Sequence, residues 1–215
     1  MSRRDELNTT SFAMLGMLGI RPWSTYELAK HIDRSLGWLW PRARSNLFNE
    51  PKKLVAHGMA KATEEMVGKR PKTVYTITAK GRRAFRQWLS EPGEGPVLEY
   101  EQLMKVFFAD QGTKADALAA VREIRSWAAA KDQEGVAIAA QYRAGEGPFP
   151  ERAPVLSIMH QFWINYIDAI ADWADWAEDV VEGWPDDLSQ AEPRWEVFDP
   201  QPRESRRKQG RRALR

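Results

Sequence analysis

Between Ser90 and Tyr100 the chain reads SEPGEGPVLEY, with two prolines and two glycines inside eleven residues, so no regular element can run through it. The break divides the chain into parts that must fold differently. Residues 1–90 carry 17 basic and 7 acidic side chains, residues 91–193 carry 7 and 20, and the tail from Arg194 onward carries 8 and 3. A net charge of +2 therefore hides a basic first part, an acidic second part and a basic end. Such a partition points to a polyanion as the partner of the first part alone.

Several function classes drop out on composition. There is no cysteine, hence no disulfide framework, thiol nucleophile or thiolate metal site. No apolar run is long enough to span a bilayer, and MSRRDELNTT has no signal-peptide core, so a cytoplasmic protein that meets no membrane is expected. On that reading the Asn8-Thr9-Thr10 sequon carries no meaning. His31, His57 and His160 lie far apart with no second histidine at ligand spacing, which predicts no metal site and no cofactor. Gly68-Lys69-Arg70 lacks the upstream glycine and the following Ser or Thr of a phosphate loop. No enzymatic chemistry is expected.

In the first part, TSFAMLGMLGI predicts an apolar helix stopped at Arg21-Pro22, and Ser24 with Glu27 forms an S-x-x-E capping box that starts a second helix. The next segment, WPRARSNLFNEPKKLVAHG, predicts a basic amphipathic helix with Ser45 as N-cap and Gly58 as C-terminal cap. Leu47, Pro51, Leu54 and Val55 fall on its inner face, so Pro51 should pack inward and bend the helix. Ser45, Asn49, Lys52 and Ala56 face outward, flanked by Asn46 and Lys53 and led in by Arg42 and Arg44. MAKATEE and TVYTIT then read as two strands joined by MVGKRPK, with Gly68 and Pro71 supplying the turn and Lys69, Arg70 and Lys72 a basic tip. A closing helix, TAKGRRAFRQWLS, follows. Three helices, a small hairpin wing and a fourth helix make a winged helix-turn-helix over residues 1–92.

The second part gives only helical signals: Val97 to Phe108, Thr113 to Arg143, and Val155 to Val181. In the third, Val155, Met159, Phe162, Tyr166, Ile170, Trp173, Ala177 and Val180 form a near-heptad stripe that needs partner helices from its own chain or a second copy. Residues 97–184 are thus expected to be a helical dimerisation and effector domain, and 185–215 a charged, disordered tail. The fold class is mostly α with a small β wing. Asp168, Asp172, Asp175, Glu178 and Asp179 read as a solvated acidic face that also repels DNA. Trp127, Trp163, Trp173 and Trp176 read as core between helices, with Trp163, Tyr166 and His160 as the candidates for an aromatic effector pocket.

SFAMLGMLGIRPWSTYELAKHI, SNLFNEPKKLVAHGMA and GKRPKTVYTITAKGRRAFRQWL resemble, in order and spacing, the winged-helix pattern of the PadR family of transcriptional regulators over residues 10–90. Phe48 stands where that family commonly has tyrosine, and Pro51 where many members have leucine. The resemblance implies a homodimer that binds a palindromic operator in double-stranded DNA, often as a repressor released by a small effector.

The residues themselves support a DNA contact. Asn46 and Asn49 can pair bidentately with a base edge, while Arg42, Arg44, Lys52 and Lys53 suit phosphates, and Lys69, Arg70 and Lys72 would reach the flanking backbone or minor groove. The alternative is a protein-interaction adaptor whose winged helix has become a docking surface without specific DNA binding.

Overall fold

The computed structural model describes residues 7–35, 37–40, 49–67 and 70–199, and the chain divides into two units, Met1–Pro96 and Val97–Arg215.

The first unit is built on helix α1, Thr9–Ile20. Asn8 starts it: its Oδ1 accepts the Ser11 amide at 3.0 Å, and Ser11 Oγ accepts the Asn8 amide at 3.1 Å. The asparagine of the sequon is thus spent on a cap. Met14, Leu15 and Leu18 of α1 are fully buried with Leu28 and Ile32 of α2, Thr25–Ser35, and Leu54 of α3, Glu50–Ala56. Between α1 and α2 the chain forms a two-residue strand β1, Trp23–Ser24, which the sequence reading treated as part of a break. Two residues are too few to show alternation. Trp23 is anchored by its indole Nε1, which donates to the Met17 carbonyl at 2.7 Å.

Strands β2, Ala60–Val67, and β3, Arg70–Ile77, form the hairpin, and β1 adds to the other edge of β3 to give the order β1-β3-β2, all antiparallel. The hairpin is tighter than expected. Met66 pairs with Pro71 and Val67 with Arg70, so only residues 68 and 69 connect the strands and Pro71 lies within β3. Helix α4, Ala79–Ser90, starts at Thr78, whose hydroxyl accepts the Gly81 amide at 3.1 Å. A Cβ on Gly81 would stand 2.2 Å from the Met59 carbonyl oxygen, so α4 closes onto the α3–β2 connection only because this residue has none.

The second unit is helical. Helix α5, Glu101–Phe107, packs on α6, Lys114–Arg143, which runs against α7, Ala153–Glu182. Thr113 and Asp116 form a capping box at the start of α6. Ala117, Ala120, Val121, Ile124 and Ala128 of α6 meet a seam of α7 in which Trp163, Ile167, Ala174, Ala177 and Val181 are buried.

This seam is not in the expected phase. From the predicted stripe Ala177 is buried and Ile170 and Trp173 pack at its margin, but Val155 and Phe162 are 56% and 53% exposed. Alanines at 174 and 177 let the helices approach closely, which draws that face rather than the bulkier one onto α6. The acidic run is also not a simply solvated face. Glu178 accepts from Arg122 at 2.6 Å and Asp175 is paired with Arg125, so part of it binds α6. The tail expected to be disordered from residue 185 includes 3-10 turns at Leu188–Gln190 and Trp195–Val197; residues 200–215 lie outside the described residues.

Candidate nucleic-acid interface

Seven residues cannot hold a helix by their own propensity, and α3 is fixed instead at its ends. At its start, Glu50 is 5% exposed and accepts from Ser11 Oγ at 2.7 Å, while its other oxygen lies 2.8 Å from Lys53 Nζ. The helix N-terminus favours a carboxylate there, since its amides lack intrahelical acceptors. Pro51, expected mid-helix, occupies the first turn of α3, where its missing N–H costs nothing, and it is fully buried as the sequence implied.

At the other end Met59 N donates to the Leu54 carbonyl at 2.8 Å and Gly58 N to Val55 at 2.9 Å, with Gly58 at φ +68°, the left-handed region that glycine adopts without strain. Thr78 Oγ1 and Lys80 Nζ each donate at 2.8 Å to the carbonyls of Gly58 and His57. The outer side of the first turn is left to Asn49 and Lys52, both exposed.

The predicted contact residues therefore separate. Asn49 precedes α3 in αR geometry without a side-chain cap bond, and Lys52 projects beside it. Lys53 does not: its side chain is 13% exposed and paired with Glu50. Lys72 is not at the hairpin tip. It pairs in register with Glu65, and its Nζ reaches Glu27 Oε2 of α2 at 3.2 Å. Glu27 also accepts from the Ser24 hydroxyl at 2.6 Å and amide at 2.9 Å, and these bonds, with Lys72, hold its carboxyl down to about 2. Arg70 opens β3 beside the tip; Arg42, Arg44, Ser45, Asn46 and Lys69 lie outside the described residues. Sequence reasoning missed Ser11, Glu50 and Lys80, which position α3. The signal for Glu50 was an acid three residues before a lysine in a basic segment.

The proposed effector residues are also divided. Trp163 is 9% exposed, its Nε1 donates to the Lys131 carbonyl at 3.3 Å, and a Cβ on Gly135 would stand 3.0 Å from that nitrogen. His160 borders the same glycine, whereas Tyr166 stacks on Phe162 with centroids 6.3 Å apart. Grooves of about 390 and 330 Å³ open elsewhere in this unit, one between Arg125, Asp132, Ile167 and Asp168, the other between Lys105, Phe108 and Asp116. Burial with the nearby Asp172 and Asp132 pushes the Asp168 carboxyl up. Tyr100 packs on the α6–α7 core with its hydroxyl buried and, among the described residues, without a hydrogen-bond partner; burial and Tyr166 push that phenol up. Among the described residues no group of His, Asp and Glu could hold a metal ion, and no helix is long and apolar enough to cross a membrane.

Comparison with known proteins gives this geometry its context. Residues 14–87 match the transcriptional regulator PadR-like family, and residues 100–182 match the virulence activator alpha C-terminal family. A transcriptional regulator of Mycobacterium tuberculosis is 33% identical over 70 residues, 32% of this chain and 37% of that protein. The negative transcriptional regulator PadR of Bacillus subtilis is 27% identical over 104 residues, 47% of this chain and 57% of that protein. The matched segments thus span less than two thirds of either relative.

Among solved structures, B. subtilis PadR in complex with operator DNA superposes with a TM-score of 0.60 at 19% identity, over 79% of this chain and 99% of that one. A PadR-like regulator from Bacillus cereus gives 0.67 at 19% over 81% and 98%, and the Vibrio cholerae virulence activator AphA 0.55 at 22% over 81% and 98%. At these identities the superpositions establish a shared fold. The winged helix thus carries the match to the PadR-like family of transcriptional regulators, over residues 14–87, and the helical unit carries the match to the virulence activator alpha C-terminal family, over residues 100–182.

Proposed function

We propose that this chain is a sequence-specific DNA-binding repressor, working in the cytoplasm as a homodimer on a palindromic operator, with a small effector that loosens its hold. The observation that carries the reading is α3: a short helix latched at both ends, with Asn49 and Lys52 left outward in a basic winged-helix unit. Asparagine can present a donor and an acceptor to one base, and a lysine beside it can meet phosphate. Arg42, Arg44, Ser45 and Asn46, which lead into α3, and Lys69 and Arg70 at the hairpin tip complete the contact set. Lys53 and Lys72, already paired with Glu50 and Glu27, are left out of it.

Dimerisation is supported by α7, whose Val155, Ile158 and Phe162 remain exposed beside the face that packs on α6. The effector is supported by a relative: B. subtilis PadR has been solved with p-coumaric acid. In this chain Trp163, Tyr166 and His160 are the candidates for an aromatic effector, and the unpaired hydroxyl of Tyr100 offers a polar anchor. Nothing in this reading asks for a catalytic step.

Footprinting the chain on the DNA upstream of its own gene, with titrations at several salt concentrations, tests the proposal. A two-fold symmetric footprint and an affinity that falls steeply with salt are expected. Equal affinity for the footprinted duplex and a random one would exclude a sequence-specific regulator and favour the adaptor.

A further inference from the structure

We infer that Glu50 is a specificity-determining positioning residue, which acts through Ser11 to set how α3 presents its outer face to DNA; this rests on the assignment of α3 as the reading element. Glu50 is the one acidic residue of α3, and its carboxylate is turned away from solvent into the packing between α3 and α1. A carboxylate in such a place is costly unless its oxygens are satisfied. Here one oxygen takes the Ser11 hydroxyl at 2.7 Å and the other the Lys53 ammonium at 2.8 Å.

The two contacts do different work. Lys53 lies on the same helix, so that pair neutralises the acid within α3. Ser11 lies on α1, so its bond ties the first turn of α3 to the scaffold at one height and one rotation. Directional bonds specify geometry in a way that apolar contacts such as those of Leu54 do not. Asn49 adjoins the tied residue, and a bidentate contact with a base tolerates little displacement. A misplaced first turn would weaken base readout and leave phosphate contacts almost unchanged, because those follow charge rather than alignment.

The test measures full-length variants on operator and random duplexes at several salt concentrations. Ser11→Ala and Glu50→Ala should each lower the operator-to-random affinity ratio by roughly tenfold, with random-DNA affinity and salt slope within about twofold of the parent. Glu50→Gln keeps an oxygen acceptor for the Ser11 hydroxyl and should restore most of the ratio. Asn8→Ala breaks the α1 cap, in which Ser11 also takes part, yet leaves the Ser11–Glu50 bond and should keep the parent ratio. Thermal unfolding of each variant separates lost folding from lost discrimination.

If Ser11→Ala and Glu50→Ala lower the melting temperature but keep the ratio, Glu50 is structural and the inference is overturned. It is likewise overturned if Asn8→Ala lowers the ratio as far as Ser11→Ala, since the cap would then be responsible. Asn49→Ala keeps the two readings apart: a ratio unchanged by that variant removes α3 as the reading element, whereas a ratio lowered by Asn49→Ala and not by Glu50→Ala removes only the role of Glu50.

Discussion

Helices α3 and α7 are held in opposite ways. The seven residues of α3 are fixed at their ends by polar latches, Ser11 and Glu50 at one and Thr78 and Lys80 at the other. The thirty residues of α7 are fixed along one side, where small residues close the seam with α6, and a second apolar side stays exposed. Polar latches set position and apolar seams set stability. The first suits the proposal that α3 meets a duplex in one register; the second suits the proposal that α7 binds α6 and also a second copy.

The largest expected effect breaks the α7 half of that contrast. Replacing the exposed Ile158 and Phe162 together by Glu should weaken the proposed homodimer by about 4 kcal/mol, since charges would stand where two large apolar anchors are proposed to meet. Sedimentation should show monomer with helix content retained. An unchanged dimer would move the interface to another face.

The converse experiment attacks the first unit. Gly81→Ala forces a Cβ against the Met59 carbonyl and should destabilise that unit by about 3 kcal/mol, because backbone on both sides prevents relaxation. Thermal melting followed at both units should lose the first transition and keep the second. A simultaneous loss of both would mean that the units unfold as one.

A finer test concerns the outer face of α3. Asn49→Ala should cost about 2 kcal/mol on the operator and little on random DNA, while Lys52→Ala should weaken both and flatten the salt dependence by roughly one unit per half-site. Fluorescence titration on both duplexes reads the difference. If Lys52→Ala affects the operator alone, lysine rather than asparagine carries the readout.

What the sequence disclosed follows from how local each cause is. Ser24 with Glu27, Gly58 as a helix stop and Pro51 as an inward residue were all legible, because each acts on neighbours a few positions away. The position of Pro51 within the helix was not, and neither was the site of the turn. Proline usually marks turns, but β1 pairs only with Val74 and Tyr75, so at Pro71 strand β3 has an open edge where a missing N–H is tolerated. The seam of α7 was ambiguous because the helix is apolar on two sides. Trp163 and Ile167 lie one step from Phe162 and Tyr166, and only the alanines of α6 and α7 and the gap at Gly135 decide which set turns inward. The candidate contact residues were legible as charge, but the acids that pair with two of them were not: Lys72 meets Glu27 from a distant element, and Lys53 meets the Glu50 beside it.

The smallest expected effect tests whether a polar latch also stabilises. Glu27 joins the start of α2 to β3 by accepting from Ser24 and pairing with Lys72, and its carboxyl is lowered from 4.5 to about 2. A depressed carboxylate contributes stability that is fully present above its unfolded value, so the contribution holds above pH 4.5 and is lost as pH falls through about 2. The side chain is 35% exposed, so solvent screens most of what that shift would suggest, and about 1 kcal/mol is the expected ceiling. Glu27→Gln should lower the stability of the first unit by about that amount at neutral pH and remove the acid dependence between pH 4.5 and 2, while the second unit, with its own Thr113–Asp116 box, titrates as before. Urea unfolding at pH 7 and pH 3 measures both. A variant as stable as the parent at pH 7 would show that this latch, unlike the α6–α7 seam, sets position and adds nothing to stability, which would sharpen the division between the two units.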